Sequence, residues 1–96
     1  MGSFLKILIP NKITPSRYKL VLEKMKKLGS PVIEVIEISN DVYFALEGSH
    51  RTTAAKELGL IPVLNIITKA NFKEPEFKSV FIQADIRKKK GLEINF

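Results

Sequence analysis

The chain alternates short apolar runs with amphipathic stretches, a pattern typical of strands that alternate with helices. Residues 4–9 are apolar except for one lysine and stop at Pro10, which predicts a first strand. Pro15 suits the first position of a helix, because the N–H that it lacks would have no partner there, and Gly29 ends that helix. The apolar face of this helix is formed by Tyr18, Val21, Leu22, Met25 and Leu28.

The middle of the chain reads as a hairpin, a short helix and a further strand. β-branched residues favour strands, and the Ser-Asn-Asp cluster between two such runs favours a tight turn. Gly59 ends the short helix, and Pro62 lies near the start of the next strand, where no ladder donor is missed. The predicted elements are strands at 32–38 and 42–46, a helix at 52–58 and a strand at 61–68.

The last third of the chain predicts a loop at residues 69–74, a helix over residues 75–89 and an apolar tail at residues 92–96. The tail can dock on the domain or pair at a sheet edge. This order of elements predicts one α+β domain over residues 1–96, a small mixed sheet flanked by helices. The apolar face of the last helix is formed by Phe77, Val80, Phe81 and Ala84.

The composition of the chain excludes several kinds of functional site but says little about the fold. The chain has 96 residues, of which 45% are hydrophobic and 27% charged, as expected of one globular domain. The absence of cysteine excludes disulfides, thiolate zinc sites and a cysteine nucleophile, and the single histidine excludes a multi-histidine metal site. No apolar run approaches the roughly 18–20 residues that cross a bilayer, and the apolar start is too short for a signal peptide. We therefore expect a cytoplasmic protein with no membrane contact.

The net charge of +6 is unevenly distributed, with the basic excess in the first and last thirds of the chain. Such asymmetry favours a surface that faces a polyanion such as DNA, although lysines late in a helix also suit solvation and the negative end of the helix dipole. DNA contact through these residues would be independent of sequence and sensitive to salt. The candidates are Lys19, Lys24, Lys26, Lys27, Arg87, Lys88, Lys89 and Lys90.

The junction between the second hairpin strand and the short helix favours anion binding. The first N–H groups of a helix have no acceptor within it, and the helix dipole adds positive charge at that end. Gly48 has no Cβ, so a phosphate can approach the backbone closely. Arg51 offers a planar fork that matches two phosphate oxygens, and His50 can donate a hydrogen bond. The hydroxyl groups predicted to assist are those of Ser49, Thr52 and Thr53.

The same residues could also have purely structural roles that involve no ligand. Ser49 or His50 could cap the short helix, and Arg51 could pair at the surface with Glu47 or Glu57 for about 1 kcal/mol at most. For catalysis, Glu47 and His50 are the convergent acid–base candidates. Glu47 is also a candidate ligand for a divalent metal such as Mg²⁺, and Asp41 is a further candidate.

The chain resembles the N-terminal domain of the ParB family, within the ParB/sulfiredoxin fold, over most of residues 5–68. Gly48-Ser49-His50-Arg51 occupies the position of the family's Gly-Glu-Arg-Arg box. The other matches are Ile9-Pro10, Ile13-Thr14-Pro15, Gly29, Pro31-Val32-Ile33-Glu34-Val35, Ala54-Ala55-Lys56-Glu57-Leu58-Gly59 and Ile61-Pro62-Val63.

The resemblance implies that residues 48–51 grip phosphates, of CTP in ParB proteins and of ATP or ADP in related members. Ser49 stands where sulfiredoxins carry their catalytic cysteine, which excludes sulfinic acid reduction by that route. ParB-like serine kinases have a box similar to residues 47–51, but they also use a glutamate in the loop after the first strand. In this chain that loop, residues 10–17, contains no acid.

Three functions follow from the resemblance and the charge. The first acts on DNA, as a metal-dependent endonuclease or a partition-type DNA-binding protein. The second is an ADP- or ATP-dependent kinase of a small metabolite such as free serine. The third is a non-catalytic nucleotide switch, for which the apolar residues 32–38 and 92–96 allow a homodimer.

Overall fold

The computed structural model describes residues 5–67 and 74–96, with side chains in the last helix from residue 79 onward. This part of the chain forms a small α+β fold of three helices and one five-stranded mixed sheet. The elements are β1 (Lys6–Leu8), α1 (Pro15–Leu28), β2 (Val32–Ser39), β3 (Val42–Ala45), α2 (Ser49–Glu57), β4 (Val63–Ile66), α3 (Glu74–Lys89) and β5 (Glu93–Asn95).

The strand order in the sheet is β4-β2-β3-β1-β5. β2 and β3 form the predicted antiparallel hairpin, with Ile36 opposite Phe44. β1 lies parallel to β3, and β4 lies parallel to β2. The carboxyl ends of the parallel neighbours β1 and β3 therefore meet at the same edge of the sheet, where the loops that follow them emerge together.

Each face of the sheet is covered by helices. On one face, Ile7, Ile33 and Val35 are buried beneath α1 and α2, which pack on each other through Met25 and a pair of alanines, Ala54 and Ala55. On the opposite face, α3 contributes Val80 and Ala84 to a cluster with Leu8, Ile36 and Phe44. Alternation along β1 and β2 explains this division, because successive side chains of a strand point to opposite faces.

The predicted elements are present in the predicted order, with shifted ends. The short helix α2 begins at Ser49, three residues earlier than predicted, so the candidate residues lie in its first turn. The C-terminal tail pairs at the sheet edge as β5, antiparallel to β1. The predicted loop at 69–74, apart from Glu74, and the ends of the predicted strands at Phe4 and Thr68 lie outside the described residues.

Three predictions about apolar surfaces are corrected. Leu28 is 83% exposed and Phe81 is 45% exposed, so neither completes the buried face of its helix, and the side chain of Phe77 is not described. Residues 32–38 belong to β2, which has a neighbour on each side, so they do not form an open edge. The sheet edges are β4 and β5.

None of the helices in the described part of the chain has the length and apolar character of a membrane-spanning segment.

Candidate functional site

A surface depression of about 460 Å³ lies at the carboxyl ends of β1 and β3. Open α/β sheets commonly bind ligands outside the carboxyl ends of their strands, and the volume falls in the range of small-molecule sites. The residues come from the loop after β1, from α1 and from the turn into α2. They are Pro10, Asn11, Arg17, Val21, Leu46, Glu47, Gly48, Ser49, His50 and Arg51.

The turn into α2 leaves backbone donors open at this depression. Gly48 precedes the helix with φ +85° and ψ +34°, the left-handed region, and no side chain caps the helix. The first backbone bond of the turn is from Thr52 N–H to Gly48 O, at 2.8 Å. Among the described residues, the amide N–H groups of Ser49, His50 and Arg51 have no acceptor. Three donors thus remain at the positive end of the helix dipole.

Gly48 suits both the backbone conformation and the space at this turn. An alanine Cβ at this position would lie 2.8 Å from Ile33 Cδ1, so the end of that buried side chain would have to shift. Gly59 also has a positive φ, of +72°, but a Cβ there would meet nothing within 4 Å. We expect Gly59→Ala to lower the free energy of unfolding by about 1 kcal/mol, the cost of the backbone conformation, and Gly48→Ala by about 2 kcal/mol. Urea denaturation of both variants measures the difference, and equal losses would contradict the close approach at Gly48.

Ser49 and His50 hold the loop after β1 rather than capping their own helix. The Ser49 hydroxyl accepts a hydrogen bond from Asn11 N–H at 3.0 Å. His50 Nε2 accepts one from Thr14 N–H at 2.9 Å, so this nitrogen is unprotonated in the arrangement. The two bonds bring the loop after β1 against the first turn of α2. This placement joins the two loops that line the depression.

Arg51 forms a surface ion pair with Glu47, one of the two partners that the sequence analysis offers as an alternative to a phosphate. Its Nη2 donates to Glu47 Oε1 at 3.0 Å, and its Nη1 donates to Val32 O at 3.2 Å. The Arg51 and Glu47 side chains are 39% and 58% exposed, so the ion pair is accessible to solvent and contributes about 1 kcal/mol at most. A phosphate that enters the depression can therefore compete with Glu47 for the guanidinium.

Arg17 and Asn11 line the depression, although the sequence analysis did not select them as site residues. Arg17 lies in the first turn of α1, which contains no acidic residue. A cation there faces the positive end of the helix dipole, a slightly unfavourable position. A basic residue at this unfavourable position is the feature of the sequence that could have indicated Arg17 as a ligand-binding candidate.

Other predicted site residues lie elsewhere. Thr52 is fully buried, and its hydroxyl has no hydrogen-bond partner among the described residues. The Thr53 hydroxyl donates to Ser49 O at 2.8 Å, and neither threonine lines the depression. Asp41 lies before β3 and Glu47 after it, about 20 Å of strand-like chain apart. The structure thus removes Thr52, Thr53 and Asp41 from the group that converges here.

The two basic helix ends lie on opposite faces of the sheet, because α1 and α3 cover different faces. Of the α1 lysines, Lys24 borders a second depression that also reaches Arg51. The remaining α1 candidates are exposed, and Lys26 pairs with Glu23 at 3.1 Å. At the end of α3, the exposed candidates are Lys88, Lys89 and Lys90.

Arg87 differs from the other residues of the predicted DNA-binding set in that its side chain contacts the sheet. Its Nη1 donates to Leu8 O at 2.8 Å and to Ala45 O at 2.7 Å, and its guanidinium lies 3.6 Å from the centre of the Phe44 ring. Burial lowers the pKa of Arg87 to about 10, so the group stays charged at neutral pH. Arg87 therefore joins the last residues of β1 and β3 and is partly buried there, whereas the three lysines that follow it are exposed.

Over the described residues, no group of three or more histidine or acidic side chains is placed to hold a metal ion. Glu47 is the only acidic residue among the described residues that line the depression. Comparison of the chain with protein-family models, curated proteins and solved structures found no match.

Proposed function

We propose that the depression between the β1–α1 loop and the first turn of α2 binds phosphoryl groups of a nucleotide or a nucleic acid. The observation that carries the proposal is the convergence of two arginines, Arg17 and Arg51, with three amide N–H groups that have no acceptor in the described structure. Either feature alone is common on protein surfaces. Together they supply positive charge, directional donors and a concave surface in one place.

The charge balance of the depression favours an anion. Arg17 and Arg51 oppose the single carboxylate Glu47, and the helix dipole of α2 adds partial positive charge. A phosphate has enough oxygens to accept from the guanidinium fork and from backbone N–H groups at once. The Ser49 hydroxyl, which accepts from Asn11 N–H, keeps its own proton to donate.

Glu47 acts in this proposal as the occupant that a phosphate displaces. A charge-assisted hydrogen bond contributes about 1.5–3 kcal/mol, more than the exposed pair with Glu47 contributes. We expect Glu47→Gln to raise the affinity for inorganic pyrophosphate up to about fivefold, since 1 kcal/mol corresponds to that factor. Isothermal titration calorimetry measures the change, with Glu57→Gln at the other end of α2 as the matched control.

The outcome for Glu47→Gln also separates binding from metal-dependent catalysis. If Glu47 holds Mg²⁺ or takes part in phosphodiester cleavage with His50, the substitution weakens magnesium-dependent ligand binding and abolishes DNA nicking. Such losses would contradict the role as a displaceable occupant and favour the endonuclease. Glu47 contacts Arg51, and His50 contacts Thr14 N–H. These contacts favour a binding site over a catalytic one.

The metabolite kinase remains the second candidate. It shares the phosphate site, but it needs a general base or a metal-holding carboxylate near the acceptor hydroxyl. The loop after β1 borders the depression through Pro10 and Asn11, and no residue between β1 and α1 is acidic. This observation favours binding of nucleic acid or nucleotide over phosphoryl transfer to an alcohol.

The proposal is tested by titrating the protein with the four nucleoside triphosphates, ADP, and single- and double-stranded DNA at two salt concentrations. Binding that weakens steeply with salt and is competed by pyrophosphate supports it. Absence of binding to every one of these ligands at low salt would refute it. Phosphoserine formed from free serine and ADP or ATP would favour the kinase, and dimer formation induced by a nucleotide would favour the switch.

A further inference from the structure

A smaller depression, of about 320 Å³, adjoins the depression at the turn into α2 and shares Pro10 and Asn11 with it. Its remaining lining residues are Lys12, Lys90 and Leu92. No acidic residue is present among the described residues that line it. The two depressions thus meet at the Pro10-Asn11 bend, and the lining of each includes two cationic side chains that are Lys or Arg.

Backbone contacts fix both lysines at this position. Lys12 follows Asn11, whose N–H donates to the Ser49 hydroxyl. Lys90 lies in the turn after α3, where Leu92 N–H donates to Arg87 O at 3.0 Å. Leu92 O in turn accepts from Ile9 N–H at 2.9 Å, next to Pro10. Lys90 is therefore held beside the bend, although it is far from it in sequence.

We propose that Lys12 and Lys90 form a second phosphate subsite, so that the ligand is a single nucleic-acid strand laid across the Pro10-Asn11 bend. This inference rests on the proposed function, and it adds the class of ligand. A nucleotide's phosphates are contiguous and fit one depression, whereas a strand carries its phosphates at intervals. Two cationic depressions that meet at an uncharged bend offer a place for each of two such phosphates. Single strands are commonly bound in positively charged grooves that follow the backbone.

Most exposed lysines do not belong to this subsite, and they provide the controls. Lys88 and Lys89 precede Lys90 and carry the same charge, but neither lines either depression. A general electrostatic attraction would treat the three lysines alike. If Lys90 belongs to a specific subsite, its loss weakens single-strand binding more than the loss of Lys88 or Lys89 does.

The experiment compares a short single-stranded oligothymidylate, a duplex of the same length and inorganic pyrophosphate as ligands of the full chain. We expect Lys12→Ala with Lys90→Ala to lower the affinity for the single strand about tenfold and leave that for pyrophosphate unchanged. The slope of log affinity against log salt should fall by about 0.7, the value for the loss of one phosphate contact on a single strand. Lys88→Ala with Lys89→Ala removes the same charge from two of the exposed DNA-binding candidates outside both depressions, and the slope should fall clearly less than for the Lys12–Lys90 pair.

Arg51→Ala, measured in parallel, separates this inference from the proposed function. If Arg51→Ala weakens single-strand binding and the Lys12–Lys90 pair does not, the second subsite is refuted and the first stands. Equal effects of the two lysine pairs, or tighter binding of the duplex than of the single strand, would also overturn the inference. If none of these variants changes the affinity for any ligand, both proposals fail.

Discussion

Replacing Arg51 with alanine is expected to lower the affinity for pyrophosphate or a nucleotide by roughly ten- to a hundredfold. The guanidinium supplies charge-assisted hydrogen bonds of about 1.5–3 kcal/mol, and each 1.4 kcal/mol is a factor of ten in affinity. The fold should survive, because the side chain is 39% exposed and its bonds go to Glu47 and Val32 O at the surface. Isothermal titration calorimetry measures the affinity, and circular dichroism confirms the fold.

Two further variants make the result specific to the site. Lys19→Ala removes the same charge from an exposed position outside the depression and should change the affinity little. Arg51→Lys keeps the charge but loses the planar fork, so we expect partial recovery only. An Arg51→Ala variant that binds as tightly as the parent chain would contradict the role of this residue.

Replacing Arg87 with methionine is expected to lower the free energy of unfolding by about 2–3 kcal/mol, a large part of the stability of a small domain. The change removes two hydrogen bonds, to Leu8 O and Ala45 O, and the stacking on Phe44. Relief of the cost of burying the guanidinium limits the net loss. At roughly 4–8 °C per kcal/mol, the melting temperature should fall by about 10–20 °C.

Lys88→Met provides the matched control for Arg87, since it removes the same charge from the next position of the helix, where the side chain is exposed. Thermal denaturation followed by circular dichroism compares the two variants. Equal, small shifts would show that Arg87 belongs to the basic surface, as the sequence first indicates. A large shift for Arg87→Met alone supports its position between the ends of β1 and β3.

The fold class could be predicted because the local signals agree with one another. β-branched runs, helical periodicity, Pro15 and Gly29 all indicate the same boundaries, and these boundaries depend on nearby residues only. The pairing partners could not be predicted in this way. That β5 pairs with β1, or that β2 is an interior strand, depends on contacts between distant parts of the chain.

The part of the candidate site that one turn forms could be predicted from the sequence. The part that depends on two loops meeting in the fold could not. Gly48 and Arg51 follow from the strand-to-helix turn alone. Arg17 reaches the same depression only because two loops meet at the carboxyl ends of β1 and β3. Arg87 shows the opposite case, since its sequence context of lysines indicates a solvent-exposed run, whereas its contacts with Phe44, Leu8 O and Ala45 O keep it partly buried.

The central claim, that the first turn of α2 receives a phosphate, is tested most directly by the backbone amides themselves. Nuclear magnetic resonance of the isotope-labelled chain during titration with pyrophosphate reports each N–H separately. The account predicts that the largest amide shifts occur at Ser49, His50 and Arg51, accompanied by the Arg17 side chain. Largest shifts at Lys88 and Lys89, or no shift at residues 49–51 while the ligand binds, would contradict it.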